Sequence, residues 1–291
     1  MIAVMGASGN VGSKTADRLL QDGQDVRVFG RSAERLEPLR QSGAEVIVGD
    51  AINPDDLQGL FRGAEGALVV LPDNVADTDY VSNRSKMSKA IVQALADQRV
   101  RHVVMASSLG AERERGVGPV NTLHELEDLL FSLEGANVIS NRAALHMEQN
   151  LLPAIALIQT QRINATALRR DVKLPMIATV DIAARAASHL VRRDFSGREV
   201  ETVLGPEELT MDEATQAIAD VLGVPEVRYI ELAPQDARAA LQGAGMSEEF
   251  ASLLVEAQVT INHGLFDGVV RTPESTTPTT IHEFLTAAMT S

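Results

Sequence analysis

A glycine-rich turn near the start of the chain constrains the fold more than any other feature. Gly6, Gly9 and Gly12 follow the apolar run 2–5 and open an amphipathic segment at 10–21. A strand, such a turn and a helix in that order are typical of a βαβ unit that binds a dinucleotide pyrophosphate at the helix N-terminus. The residues predicted to hold the pyrophosphate half of a cofactor are Gly6, Ser8, Gly9, Asn10, Val11 and Gly12.

The same alternation of strand and helix continues through the first half of the chain. Strands are predicted at 2–5, 26–29, 45–48, 67–71, 102–106 and 137–141, with helical periodicity between them. Runs rich in Val and Ile with little polar alternation are typical of strands that are buried on both faces. We therefore predict an α/β fold, a Rossmann-type doubly wound parallel sheet with a smaller α+β C-terminal lobe.

The regular alternation weakens after Asn150, which suggests a boundary between two domains. We predict a dinucleotide-binding Rossmann domain at 1–150 and a smaller substrate lobe at 151–291, with later segments such as 176–193 able to return to the first domain. Further helices are expected at 181–193, 210–222, 234–242, 247–263 and 281–289, and further strands at 199–204 and 227–232.

Composition excludes several classes of function. The 291 residues carry a formal net charge of −14, which argues against nucleic-acid binding because that needs a basic face. The absence of Cys excludes disulfides, thiolate metal sites and Cys nucleophiles, and no His–carboxylate pattern predicts a metal. With no apolar run of about 18 residues and no basic leader, we expect a cytoplasmic protein that acts on a small molecule away from membranes. A homodimer is left open.

The end of the second predicted strand indicates which dinucleotide binds. An NAD site would place a carboxylate there for the ribose 2′-OH, whereas this strand is followed by Arg31 and Ser32. A guanidinium there can pair with a 2′-phosphate, so NADP (NADPH) is the predicted cofactor. The alternative is that Arg31 is a solvated loop residue and Ser32 only a helix cap.

Two other strand ends are also expected to contact the cofactor. Asp50 and Ala51 follow the third strand, where Asp50 could accept from the adenine amino group or simply lead into a helix. Leu71 and Pro72 follow the fourth strand, at the carboxyl edge where open α/β sheets bind ligands.

Together these motifs resemble the NmrA-like branch of the atypical short-chain dehydrogenase/reductase superfamily. Segments 145–152, 178–183 and 278–285 are similar to later segments of that branch, so the resemblance covers nearly the whole chain. It implies an NADP-binding lobe, a second lobe and a substrate cleft between them. Members include NADPH-dependent quinone and azo-dye reductases, isoflavone-reductase-like enzymes, and regulators that bind the dinucleotide without turning it over.

The chain departs from short-chain reductases at their Tyr-x-x-x-Lys pair, which protonates the substrate carbonyl. Its two tyrosines are Tyr80 and Tyr229, and Tyr80 is followed four residues later by Arg84. Leu123 stands where many members of the branch carry Lys. The remaining polar candidates for catalysis are His124, Ser107 and Ser108, and those for substrate binding are His146 and Asn150. Each could instead be structural: an exposed helical His, a strand-to-loop cap, or part of a helix start.

Three functions follow from these patterns. The first is an NADPH-dependent oxidoreductase that transfers a hydride to a small flat electrophile such as a quinone, an azo compound or an enone. The second is a non-catalytic sensor of NADP(H), which the missing acid–base pair favours. The third is a biosynthetic NADPH-dependent reductase that acts on a polycyclic substrate.

Overall fold

The structure is a computed structural model that describes residues 1–290. The strands of this part are β1 (Ile2–Val4), β2 (Val26–Gly30), β3 (Glu45–Val48), β4 (Gly66–Val69), β5 (His102–Ser108), β6 (Asn137–Ala143), β7 (Leu145–His146), β8 (Ile163–Thr166), β9 (Leu174–Ile177), β10 (Arg198–Val203), β11 (Glu208–Leu209) and β12 (Arg228–Glu231). The helices are α1 (Asn10–Gln21), α2 (Ala33–Gln41), α3 (Pro54–Phe61), α4 (Tyr80–Gln98), α5 (Asn121–Phe131), α6 (Met147–Gln161), α7 (Thr179–Arg192), α8 (Met211–Leu222), α9 (Pro234–Gly243), α10 (Glu248–Asn262) and α11 (Ile281–Thr290).

The main sheet is the parallel sheet that the sequence predicts. Its seven strands lie in the order β10-β6-β5-β4-β1-β2-β3, and each neighbouring pair is parallel. Successive residues of a strand point to opposite faces, so Ile2 and Val4 enter one apolar core and Ala3 and Met5 enter the other. Helices cover both faces, which confirms the predicted doubly wound α/β fold.

The later part of the chain builds further structure against this sheet. Smaller sheets, β11-β9-β7 and β12-β8, surround a separate apolar core that includes Met147, Leu151 and Ile218. Helix α7 packs on the first core through Ile182 and Ala186, and β10 pairs in parallel with β6. Segment 176–193 thus contacts the first sheet, whereas a domain boundary at residue 150 stays a prediction.

Most predicted elements lie within two residues of their observed bounds, as at 10–21, 45–48 and 210–222. The main omission is α6, which the sequence pattern does not indicate. This helix contains Pro153, and apolar residues stand at 152 and 155–157 as well as at its buried positions, so its helical periodicity is weak. Within residues 1–290, no helix is both long and apolar enough to cross a bilayer.

Candidate functional site

The glycine turn between β1 and α1 has the geometry of a phosphate cradle. Gly6 has a φ of +63°, a left-handed conformation that favours glycine. Its carbonyl oxygen accepts from the N–H of Gly9 at 2.9 Å. A Cβ at Gly12 would lie 2.3 Å from that same oxygen, so only glycine lets α1 approach the turn this closely.

The N-terminus of α1 is open to an anion. Its N-cap residue is Gly9, which has no side chain to cap the first N–H groups of the helix. Gly9 and Asn10 are exposed, Ser8 is half-buried, and Val11 and Gly12 are buried beneath them. Free N–H groups and the helix dipole together favour a phosphate at this position.

Arg31 and Ser32 follow β2 on one side of the cradle, and Asp50 follows β3. Arg31 is exposed and accessible to a ligand. The Ser32 hydroxyl accepts from the Arg35 N–H at 3.3 Å and so caps α2. Asp50 accepts from the N–H of Ile52 at 3.0 Å, and Ala51 beside it is buried. Ser32 and Asp50 thus have local structural roles, and cofactor contacts by all four residues stay predictions.

The buried guanidinium of Arg84 fixes the segment that follows β4. Arg84 donates to the carbonyl oxygens of Leu71 and Pro72 at 3.3 and 3.0 Å and forms an ion pair with Asp73. The Tyr80 hydroxyl donates to Asp73 Oδ1 at 2.6 Å. Leu71 and Pro72 therefore lie in a fixed turn at the carboxyl edge of the sheet, beside the cradle.

Ser107 belongs to a buried charge network instead of pointing freely into a cleft. Its hydroxyl donates to Glu127 Oε1 at 2.5 Å, Ser140 donates to the same oxygen at 2.6 Å, and Arg142 donates to Oε2 at 2.7 Å. Burial alone would raise the pKa of Glu127, but these hydrogen bonds and the Arg142 charge outweigh it and lower that pKa. Ser108 donates to the Leu109 carbonyl oxygen at 3.1 Å.

His124 contacts the segment that follows β5. Its Nδ1 lies 2.8 Å from the carbonyl oxygen of Ala111, which can only accept, so Nδ1 carries the proton. Its Nε2 lies 3.4 Å from Asp128 Oδ2. The imidazole therefore ties this segment to α5, and the catalytic roles predicted for His124, Ser107 and Ser108 stay predictions.

His146 lies where the first sheet meets the later part of the chain. Asn150 donates to its carbonyl oxygen at 2.8 Å. Burial lowers the pKa of His146, the carboxylates of Glu148 and Asp73 act in the opposite direction, and the Lys14 ammonium adds to the lowering. Substrate contacts by His146 and Asn150 stay predictions.

Glu148 joins α1, α6 and α7 at this point. Its buried carboxylate accepts from the N–H of Thr179 at 3.1 Å and from Lys14 Nζ at 3.1 Å. The carboxylate thereby caps the N-terminus of α7, and the pair with Lys14 fixes the glycine-turn helix to the later part of the chain.

Sequence reasoning missed four polar residues that organise this edge: Lys14, Asp73, Arg84 and Glu127. A single local signal existed, because Arg84 stands four residues after Tyr80 and so on the same face of one helix. Nothing local indicates the partners of Lys14 or Glu127, since Glu148 and Arg142 are 134 and 15 residues away.

Comparisons with known proteins agree with this geometry. Residues 6–137 match the model of an NAD(P)H-binding family. The NAD(P)H azoreductase of Xenophilus azovorans is 26% identical over 88% of this chain and 85% of its own length. The NmrA-like family domain-containing oxidoreductase FrzB of a Cladobotryum species is 35% identical over 37% of this chain and 33% of its own.

Solved structures show the same fold over nearly the whole chain. The NADPH-dependent quinone oxidoreductase of Escherichia coli, complexed with NADPH, superposes with a TM-score of 0.83 over 99% of this chain and 100% of its own, at 20% identity. The predicted oxidoreductase class is confirmed, and these findings support NADP(H) as the cofactor. The resemblance of this chain to NmrA-like NAD(P)H-dependent reductases, predicted from the sequence, is supported by these relatives and structures.

Proposed function

We propose that this protein is an NADPH-dependent reductase of small, flat and easily reduced acceptors such as quinones, azo compounds or enones. The observation that carries the proposal is the contrast between its two functional parts. The glycine cradle is open at the N-terminus of α1, whereas the Ser107 hydroxyl is already bound to Glu127 and Tyr80 to Asp73. A site of this kind favours acceptors that need little general-acid assistance.

The residues at the sheet edge would then act by binding and orientation. When bound, NADPH supplies the hydride, and the cradle of Gly6, Gly9 and Gly12 holds its pyrophosphate. The turn at Leu71 and Pro72 fixes one wall of the cleft. Holding two reactants in a productive geometry can itself supply much of the rate acceleration. The azoreductase and the quinone oxidoreductase among the relatives support this choice of acceptors.

The test is the oxidation of NADPH, followed by its absorbance, with a panel of quinones, azo dyes and enones. We expect steady consumption with at least one acceptor and slower consumption with NADH. Saturable binding of NADPH with no consumption across the whole panel would contradict the proposal and favour a sensor of NADP(H) instead.

Arg31 provides a test of cofactor choice. Replacing Arg31 with Asp is expected to weaken NADPH binding by about tenfold to a hundredfold, because a hydrogen-bonded charge pair with the 2′-phosphate is replaced by repulsion. NADH binding should be retained or improved. Fluorescence titration with both cofactors measures the change in selectivity.

The control for this experiment is Arg35→Asp, which makes the same charge change one helical turn further along α2. If NADPH binding weakens equally in both variants, the effect is one of general charge, and Arg31 is not the 2′-phosphate ligand.

A further inference from the structure

The order of strands divides the carboxyl edge of the sheet into two halves. Strands β2 and β3 lie on one side of β1, whereas β4, β5 and β6 lie on the other. A dinucleotide whose pyrophosphate sits at the N-terminus of α1 must therefore extend in both directions from β1. With Arg31 and Asp50 on the β2 side, the adenosine half belongs there and the nicotinamide half lies over β4.

Asp73 lies on that second half, four residues after β4 ends at Val69, and its carboxylate is held by two side chains. Its Oδ1 accepts from Tyr80 and is paired with Arg84, whose Nε donates to Thr122 Oγ1 at 2.7 Å. Arg84 is 4% exposed, whereas the Asp73 side chain is 45% exposed. Among residues 1–290, no hydrogen bond to Oδ2 of Asp73 is found, so one oxygen is held and the other is free to accept.

Helix α10 fixes the same segment from the opposite side. The Ser247 N–H donates to the Val75 carbonyl oxygen at 2.9 Å, and Glu249 Oε2 accepts from the Tyr80 N–H at 2.6 Å. The rings of Tyr80 and Phe250 meet edge to face at 4.9 Å between centroids. The carboxylate is therefore held in place before any ligand arrives, which lowers the entropic cost of binding.

The Asp73 side chain is 45% exposed, so its second oxygen is accessible to a ligand. Its charge acts on the imidazole of His146, which also experiences the charges of Lys14 on α1 and Glu148 on α6. A ligand that extends from the cradle over β4 would pass Asp73.

We propose that Asp73 is a cofactor-binding residue whose Oδ2 accepts a hydrogen bond from a ribose hydroxyl on the nicotinamide half of NADP(H). Tyr80 and Arg84 are positioning residues, which act by holding Oδ1. The inference rests on the cofactor part of the proposed function and needs no turnover. The role of Asp73 and the proposed reductase activity can therefore fail separately.

The experiment compares two ligands on the same variants. NADPH contains both halves of the cofactor, whereas 2′,5′-ADP contains only the adenosine half. Asp73→Asn is expected to raise the Kd of NADPH by about tenfold, the effect of one hydrogen bond to a charged group, and to leave the Kd of 2′,5′-ADP unchanged. Isothermal titration calorimetry measures both constants without any acceptor.

Matched variants separate binding from folding. Asp79→Asn makes the same change at an exposed site in the same segment and should alter neither constant. Asp73→Asn leaves Arg84 buried without its ion pair. If that variant does not fold, Tyr80→Phe tests whether Asp73 binds the cofactor. This variant keeps the ion pair, removes one bond to Oδ1, and should raise the Kd of NADPH alone by about threefold.

Two results would overturn the assignment. One is that the Asp73 and Tyr80 variants bind both NADPH and 2′,5′-ADP more weakly, which a purely structural role predicts. The other is that folded variants bind NADPH like the wild type. If the protein oxidises NADPH with none of the acceptors in the panel, yet shows the ligand-selective loss, that result would contradict the proposed reductase and support the role of Asp73.

Discussion

Replacing Gly12 with alanine is expected to abolish detectable NADPH binding, an increase in Kd of about a hundredfold or more. The added Cβ would lie 2.3 Å from the carbonyl oxygen of Gly6, and backbone atoms cannot yield as a flexible side chain could. Helix α1 must then move away from the turn, which separates the N–H groups that together hold the pyrophosphate. Fluorescence titration with NADPH measures the loss, and circular dichroism shows whether the fold remains.

A second helical glycine provides the control. Gly59 lies within α3, and a Cβ there meets no heavy atom within 4 Å among residues 1–290. Gly59→Ala should bind NADPH like the wild type and gain about 0.5–1 kcal/mol of stability, because alanine loses less backbone entropy in a helix. If Gly12→Ala bound NADPH within tenfold of the wild type, the close approach of α1 to the turn would not matter for cofactor binding.

Replacing Arg142 with methionine is expected to lower the free energy of unfolding by about 3–5 kcal/mol, because it leaves a buried charge without its partner. Glu127 is 2% exposed, and Arg142 donates to both of its carboxylate oxygens, from Nε to Oε1 and from Nη2 to Oε2. The hydroxyls of Ser107 and Ser140 contact the same carboxylate but carry no compensating charge. Urea unfolding at neutral pH measures the difference.

The pH dependence of stability tests whether the charge of Glu127 causes the loss of stability in Arg142→Met. In the wild type its pKa lies below the ordinary value of 4.5, so its stabilising contribution is present above that value and is lost as the pH falls through the folded pKa. The difference in the free energy of unfolding between wild type and Arg142→Met should therefore become smaller in acid, as Glu127 becomes neutral. If that difference stays constant with pH, the loss comes from the packing of the arginine side-chain methylenes and not from the charge of Glu127.

An exposed ion pair serves as the comparison for Arg142. Arg40 and Glu37 lie one turn apart on the surface of α2, with side chains 61% and 40% exposed. Arg40→Met should leave the free energy of unfolding nearly unchanged, since solvent and salt screen such pairs. An equal loss in both variants would show that burial of Glu127 is not what makes its pair important.

Local sequence determines much of the first sheet and its cofactor cradle. The strands at 2–4 and 45–48 and helix α1 could be predicted because apolar period and glycine spacing are properties of neighbouring residues. The same holds for the caps: Ser32 begins α2 and Thr210 begins α8, each through a contact within three residues. The nicotinamide cofactor follows from the same short motif.

Contacts between distant residues decided the rest. Ser107 was predicted as a site residue, but its hydroxyl partner Glu127 lies 20 residues away on another element. Helix α6, with Pro153 inside it, is stabilised by an apolar core that later elements complete. The sequence by itself thus determined the sheet, the glycine turn and the class of cofactor, because those depend on local pattern. Only the tertiary structure decided which polar groups are free for a ligand, because a side chain's availability depends on partners that folding brings from far along the chain.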